Sequence, residues 1–505
     1  MNSKHLLALF IVCTSLYSFG QTFVVNGGSF FSSPGSIALS NGGVWVNGGS
    51  VVELNGELTI TKNSTSPEPG NLRIFTNGNV SNSGNLRIEQ DLLCDGSLIN
   101  NLSTVEMYGN SNQIIGSNSL ASLLFHDLTL SGTGPNNQKE LVNVDAQIDG
   151  SGNLTLNDRI LNTHGQNMEV LNANPAAVSN VDLGSGFGFV ASDVGGYFKW
   201  SVANANSYFA PLGSVNPSNL YRPVVFIPSG NDLFKMRLDQ HDASLDGFPL
   251  ANHNESICQA NSKFYHRFIS ENGNSADFNL AYSPAIDGAW SGVAEYITQW
   301  EETGNNAALV NGGFSWLVVN SNSYVVDEEA FVLTNPAPIA NFTFAAQDLY
   351  FNQVQFTDNS NGATQWSWDF NDGSFASQTN PFHVFSEGDF EVLLTVTNDF
   401  GCTDTATAWI HAGGALVIPN IFSPDNDGMN DLYEILLPSI EEYNLKIFNR
   451  WGSLLFESNN PLIQWNGDYE GVPCTEGTYF SILSIKQGNY QEQLEGTIQL
   501  VRKQQ

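Results

Sequence analysis

Gly70-Asn71-Leu72-Arg73-Ile74 returns as Gly84-Asn85-Leu86-Arg87-Ile88 and again as Gly152-Asn153-Leu154-Thr155-Leu156. In each copy apolar residues alternate with polar ones, the period of a strand with one buried face. Asn-Gly and Gly-Gly turns punctuate the same region, at Asn26-Gly27-Gly28, Asn41-Gly42-Gly43, Asn47-Gly48-Gly49, Asn55-Gly56 and Asn77-Gly78. Short alternating runs such as Val51-Val52-Glu53-Leu54 and Glu57-Leu58-Thr59-Ile60 lie between them. Short strands at a loose period of about 20 residues predict a stacked β-solenoid over residues 21–175, expected as a right-handed parallel β-helix. One coil cannot bury its apolar face alone, so the core forms between coils. Asn-Gly is also the strongest type I′ hairpin signal, and antiparallel hairpins are the competing arrangement.

The rest of the chain extends the all-β reading. Charged residues make up 13% of the 505, against about 25% in an average domain. Asn, Ser, Gly and Thr fill the gap, and these residues favour turns and strand surfaces over helices. The length suits three or four domains at roughly 100–200 residues each. A net charge of −33 argues against nucleic acid, whose recognition needs Lys and Arg to displace counterions, and against anionic membrane surfaces. It serves solubility, or gathers Ca²⁺ at a few acidic loops.

Residues 176–335 are richer in aromatics. Tyr197-Phe198-Lys199-Trp200, Tyr208-Phe209-Ala210, Tyr221-Arg222-Pro223-Val224-Val225-Phe226 and Phe264-Tyr265-His266-Arg267-Phe268 predict strands of a β-sandwich. Trp290, Trp300 and Trp316 are either sandwich core or sugar-stacking platforms. Asn335-Pro336-Ala337-Pro338 predicts a linker, since each proline drives its predecessor to extended backbone.

Residues 1–20 have the pattern of a signal peptide: Lys4 and His5, an apolar run from Leu6 to Leu16, then small residues Ser18 and Gly20 before cleavage at Gln21. Phe10-Ile11-Val12 before Cys13 lacks the small residue a lipidation site needs. No other stretch is long and apolar enough for a transmembrane helix. Cys94, Cys258, Cys402 and Cys474 remain, far apart and without a CxxC pair, so neither a zinc nor a redox motif is expected. They are expected to be isolated buried residues, with Cys402–Cys474 as the one bridge to consider.

Trp368-Asp369-Phe370-Asn371-Asp372-Gly373, Asn380-Pro381, His383, Phe385, Gly388-Asp389-Phe390-Glu391-Val392 and Leu393-Leu394-Thr395-Val396-Thr397-Asn398 follow one another in residues 337–414. This segment resembles a polycystic-kidney-disease (PKD) domain, which implies an immunoglobulin-like sandwich with Trp368 in its core. Asn371 replaces a glycine of the family pattern, and Phe385 and Phe390 replace tyrosines. Residues 418–505 carry Pro419-Asn420-Ile421-Phe422-Ser423-Pro424-Asp425-Asn426-Asp427-Gly428-Met429-Asn430-Asp431, then Asn444-Leu445-Lys446-Ile447-Phe448-Asn449-Arg450-Trp451-Gly452, Trp465-Asn466-Gly467 and Glu476-Gly477-Thr478-Tyr479. That order is similar to the gliding-motility-associated C-terminal family, an Ig-like sorting domain read by the type IX secretion machinery. The resemblance implies a Bacteroidetes-type protein, secreted to the outer-membrane surface or the medium, with that machinery as partner. The repeats of residues 123–162 are similar to solenoid segments of large surface proteins of that phylum, and Asp404-Thr405-Ala406 resembles an O-glycosylation acceptor there.

Chemistry-bearing groups are sparse. Asp425, Asp427, Asn430 and Asp431 offer hard oxygens at near-alternate spacing, a candidate Ca²⁺ site. An EF-hand is excluded by Gly428 at the fourth position and Leu436 at the twelfth, and an Asx-rich turn is the other reading. The eight His residues show no metal-ligand spacing, and there is no GxSxG elbow or P-loop. Asp145, Asp149 and Asp158 with Arg159 form the one modest carboxylate group. The expectation is therefore an exported, non-enzymatic structural or adhesion protein without cofactor. A carbohydrate-binding protein recognising surface or environmental glycans and a glycan-active enzyme in the solenoid are the alternatives.

Overall fold

The computed structural model describes residues 17–502 except 20–22, 26, 28, 32–36, 64–69, 134–137, 180–187, 193–194, 304–308, 312–313, 320–328, 347–351, 414–415, 438–439 and 488–489. The expected leader, residues 1–20, lies outside them apart from Tyr17–Phe19. The chain divides into two units, residues 1–336 and 337–505.

The first unit begins as a parallel solenoid. Ile37–Asn41, Glu57–Thr61, Asn85–Ile88, Thr104–Met107 and Asp127–Leu130 stack in one parallel sheet. Val44–Val46, Leu72–Ile74, Leu92–Cys94, Gln113–Gly116 and Gln138–Val142 stack in a second. Each coil adds a third strand, for example Val51–Leu54, Asn79–Asn82 and Ser97–Asn100. The parallel register settles the choice against antiparallel hairpins. The three quoted echoes do not share one sheet: Leu72–Ile74 lies in the second, while Asn85–Ile88 and Leu154–Thr155 lie in the first.

Alternation explains the coil. Leu58, Ile60, Leu86, Ile88, Val105, Met107, Leu128 and Leu130 point inward and are buried, each contributing roughly 1.5–3 kcal/mol relative to exposure. Arg87 and Glu106 are register partners that point outward, and Arg87 Nε sits 2.7 Å from Glu106 Oε2. The glycines of the echo meet a separate demand. A Cβ at Gly84 would lie 1.9 Å from the Gly56 carbonyl oxygen, and one at Gly152 would lie 1.7 Å from that of His126. Glycine stands there because the neighbouring coil's backbone occupies the space. One stretch of the second sheet is polar inside: Gln113 and Lys139 are buried register partners. Lys139 Nζ donates to the Gly109 carbonyl at 2.8 Å and also to Gln113 Oε1.

The solenoid does not stop near residue 175, where composition placed the change. Phe189–Ala191 and Leu212–Ser214 continue the second sheet in parallel. Phe198–Val202 pairs in parallel with Met168–Val170 on one side and antiparallel with Asp232–Asp239 on the other. This strand converts the stack into the sandwich, and one apolar cluster runs from Val25 to Leu333. Composition missed the join because a strand's two edges are independent ladders, and nothing in Phe198–Val202 requires both to be parallel. The sandwich interior is aromatic: Phe268 and Phe278 rings stand 4.2 Å apart, with Phe226, Phe234 and Phe331 around them.

In the second unit, residues 337–412 form two antiparallel sheets around Trp368, which is fully buried and donates Nε1–H to the Gln378 carbonyl at 2.9 Å. Asn371 adopts φ 58° between Gln365–Asp369 and Phe375–Ala376, a left-handed backbone that Asn tolerates almost as glycine does. His383 lies flat on Phe370 at 3.9 Å and meets Asp372 Oδ2 at 2.7 Å.

The cysteines correct the expectation. Cys94 and Cys474 are free thiols, whereas Cys258 and Cys402 are disulfide-bonded. Isolated cysteines at all four positions and a Cys402–Cys474 bridge are both overturned. Spacing along the chain does not report the Cα separation of roughly 4.4–6.8 Å that a disulfide needs.

Candidate functional site

The C-terminal domain is a five-stranded sheet in the order Ile421–Phe422, Tyr490–Leu500, Gly477–Gln487, Glu442–Phe448, Leu454–Ser458. Leu445, Ile447, Leu483, Ile485, Ile498 and Leu500 face inward and pack on Trp465. The Trp465 indole is 5.3 Å from Phe422 and 5.2 Å from Tyr479, and its N–H donates to the Asp468 carbonyl at 2.9 Å. Trp465 thus holds the opening segment to the sheet.

The turn Asn449 to Ser453 joins Glu442–Phe448 to Leu454–Ser458. Asn449 Oδ1 accepts from the backbone N–H of both Trp451 and Ser453 at 2.9 Å, and Gly452 takes φ 76°. With its backbone closed on itself, the turn drives Arg450 and Trp451 outward, and Trp451 is 82% exposed. Both line a cleft of about 400 Å³ with Tyr469, Val472, Pro473 and Thr478.

The acidic loop closes in a similar way. Asp431 accepts from the backbone N–H of Asp425 at 3.0 Å, of Asn426 at 2.6 Å and of Gly428 at 2.8 Å. Asp425 accepts from Asp427 N–H at 3.2 Å, and Asp427 from Met429 N–H at 2.9 Å. The Gly428 N–H, then the other amides, hold the Asp431 carboxyl below its ordinary pKa. Carboxylate oxygens of Asp425, Asp427 and Asp431 come within 4.8 Å of one another. Asn430 enters through its backbone, its carbonyl accepting from Ser423 N–H at 2.8 Å. The loop is a run of Asx turns whose carboxylates hold backbone amides, and its oxygens are hard ligands of the kind Ca²⁺ takes.

The other sequence candidates are dispersed. Asp149 meets His126 Nδ1 at 2.9 Å and Ser151 N–H at 2.8 Å, Asp145 accepts from Asn167 N–H at 2.8 Å, and Asp158 lies 3.2 Å from Arg159. Trp300 is fully buried and Trp290 half-buried with its N–H on the Asp287 carbonyl at 3.1 Å. The side chain of Trp316 lies outside the described residues.

Sequence reasoning missed one polar grouping. Asp239 Oδ2 lies 2.9 Å from Arg237 Nε and 3.0 Å from Arg267 Nε, while Asp246 Oδ2 lies 2.6 Å from Arg267 and 2.7 Å from His241. Its signal was charge placed among the buried residues of strand Asp232–Asp239. Two guanidinium groups already neutralise these carboxylates, which makes the grouping a structural ion network rather than a cation site.

Residues 416–500 match the CHU_C type IX secretion signal domain, and residues 335–411 match the PKD domain. Over 148 residues the chain is 31% identical to a microbial collagenase of Vibrio alginolyticus, covering 28% of this chain and 16% of that protein. Solved PKD domains are similar to it as well. That of the Vibrio cholerae metalloprotease PrtV shares 28% identity over 15% of this chain and 98% of its own, with a TM-score of 0.14. That of Vibrio anguillarum Epp shares 31% over 16% and 96%, with a TM-score of 0.15. No helix among the described residues is long and apolar enough to cross a membrane. The chain is a PKD-containing β-protein destined for the cell surface or extracellular space, and it bears a C-terminal type IX secretion signal domain.

Proposed function

We propose that this protein is a structural or adhesive element of the cell surface and performs no catalysis. The observation that carries the reading is the arrangement of its longest part. From Val25 to Leu333 the apolar side chains close into one continuous core, and the outward positions of the first parallel sheet carry a row of polar residues, Glu57, Asn85, Arg87, Thr104, Glu106, Asp127 and Thr129. Such a stack offers a repeated, rigid polar face, and repeat architectures use such faces for binding. The carboxylates of the solenoid support the same reading, since Asp145, Asp149 and Asp158 are each tied to a different neighbour.

The test compares a strain lacking the protein with its parent for attachment to surfaces and polysaccharides. Weaker attachment is expected, with no product released when purified protein meets a polysaccharide panel. Product release that disappears in Asp149→Ala or Asp158→Ala would sink the non-catalytic reading, and unchanged attachment would sink the adhesive one.

A further inference from the structure

We propose that the secretion machinery reads this domain through the Arg450–Trp451 turn and its cleft, where it seats a protein loop carrying an acidic side chain beside an apolar one. The proposal deepens, and rests on, the assignment of residues 416–500 as a type IX secretion signal.

A folded signal has to be recognised by its surface, and this surface is uneven. Trp451 is 82% exposed, Val472 66% and Tyr469 43%, three apolar groups that line the same cleft as Arg450. A large indole held in water has no folding role, and Trp and Arg dominate the centres of protein–protein interfaces. Charge identifies the partner. Lys446 lies 3.3 Å from Glu457, Lys486 lies 2.6 Å from Glu442, and Arg502 donates to the Cys474 and Gly467 carbonyls at 3.0 and 3.1 Å. Among the described residues of the domain Arg450 is the one basic side chain with neither hydrogen bond nor ion pair. An unpaired guanidinium in a chain of net charge −33 is complementary to a carboxylate of the partner, and a guanidinium binds a carboxylate in a two-pronged bond. The Asn449 side chain fixes the turn through the Trp451 and Ser453 amides at 2.9 Å, so little ordering entropy is lost on docking.

A second groove, of about 500 Å³, also borders the turn and is lined by Phe448, Arg450, Phe480 and Glu495. Asn449 and Arg450 thus border both recesses, and a loop can engage the turn through either.

The experiment uses the full chain in a bacterium with type IX machinery. Arg450→Glu, Trp451→Ala and Val472→Ser are compared with Leu462→Ser, a change at an exposed apolar residue outside both recesses. Surface and medium fractions are measured against cell-retained protein, with resistance to protease as the check on folding. Each cleft variant is expected to lower the exported fraction at least about tenfold, and Leu462→Ser to match wild type. Val472→Ser, at an exposed position away from the turn, serves if a turn variant fails to fold. Export of all folded cleft variants at the wild-type level overturns the proposal, and so does normal export coupled to lost surface retention, which would assign the cleft to a lipid or glycan. A chain ending at residue 417 separates the two claims. If it stays inside while the cleft variants leave, the cleft claim alone falls; if it too reaches the surface, the signal assignment falls with it.

Discussion

Gly84→Ala adds one methyl group at the closest approach between two solenoid coils. The new Cβ would sit 1.9 Å from the Gly56 carbonyl oxygen and 2.8 Å from its carbon. Restoring ordinary contact at 3.4 Å requires the coils to separate by roughly 1.5 Å, about a third of the normal strand spacing. That movement pulls on the bond from Asn85 N–H to the same Gly56 oxygen, now 3.1 Å long, and its loss costs about 0.5–1.5 kcal/mol. Overpacking strain adds about 1–3 kcal/mol. Reduced freedom of the unfolded chain returns about 0.4–1 kcal/mol, leaving a net destabilisation of about 2 kcal/mol. Gly150→Ala is the matched control, because a Cβ there meets nothing within 4 Å. Chemical denaturation of the full chain followed by far-ultraviolet circular dichroism should show an earlier midpoint for Gly84→Ala and none for Gly150→Ala. Equal midpoints for the two variants would refute the claim that coil contact, rather than turn flexibility, selects glycine at this repeat position.

Burial, then the Arg159 guanidinium, pushes the Lys139 ammonium down to about 7, whereas an unfolded lysine titrates near 10.4. Between those values the unfolded chain binds a proton the folded chain lacks, so stability should rise with pH by at most about 1.4 kcal/mol per unit. Lys139→Met should flatten that rise in denaturation midpoints taken from about pH 7 to about pH 9, and an identical slope in the variant would contradict the assignment. Alkylation of denatured, unreduced protein should label Cys94 and Cys474 and spare Cys258 and Cys402 on peptide mapping; a labelled Cys402 would contradict the bonding found here. Millimolar Ca²⁺ should leave the melting temperature unmoved, because Asp425, Asp427 and Asp431 already hold backbone amides; a rise that Asp431→Ala abolishes would establish an ion site instead.

The elements that could be read from sequence are those whose cause is local. Leu72-Arg73-Ile74 and Asn85-Leu86-Arg87-Ile88 announce one buried face each, and the structure buries Leu72, Ile74, Leu86 and Ile88. Trp368 and the turn after it likewise carry their sandwich in a few adjacent residues. What could not be read depends on partners distant in the chain. Leu72 and Leu86 look like copies of one position, yet they occupy different sheets, because the face a strand joins is set by the turns between, not by its own alternation. The bonded state of Cys402 and the join at Phe198–Val202 are of the same kind. The candidate recognition surface falls between these cases. Its residues were legible as a turn, since Asn449 and Gly452 dictate one, but their meaning was not. Only the structure shows that Lys446, Lys486 and Arg502 find partners and Arg450 does not, or that Val472 lines the same cleft as Trp451. A side chain's availability is a property of what surrounds it. That is why Asn449-Arg450-Trp451-Gly452, one turn among the motifs that mark the domain in sequence, becomes a binding hypothesis only once its neighbours are in place.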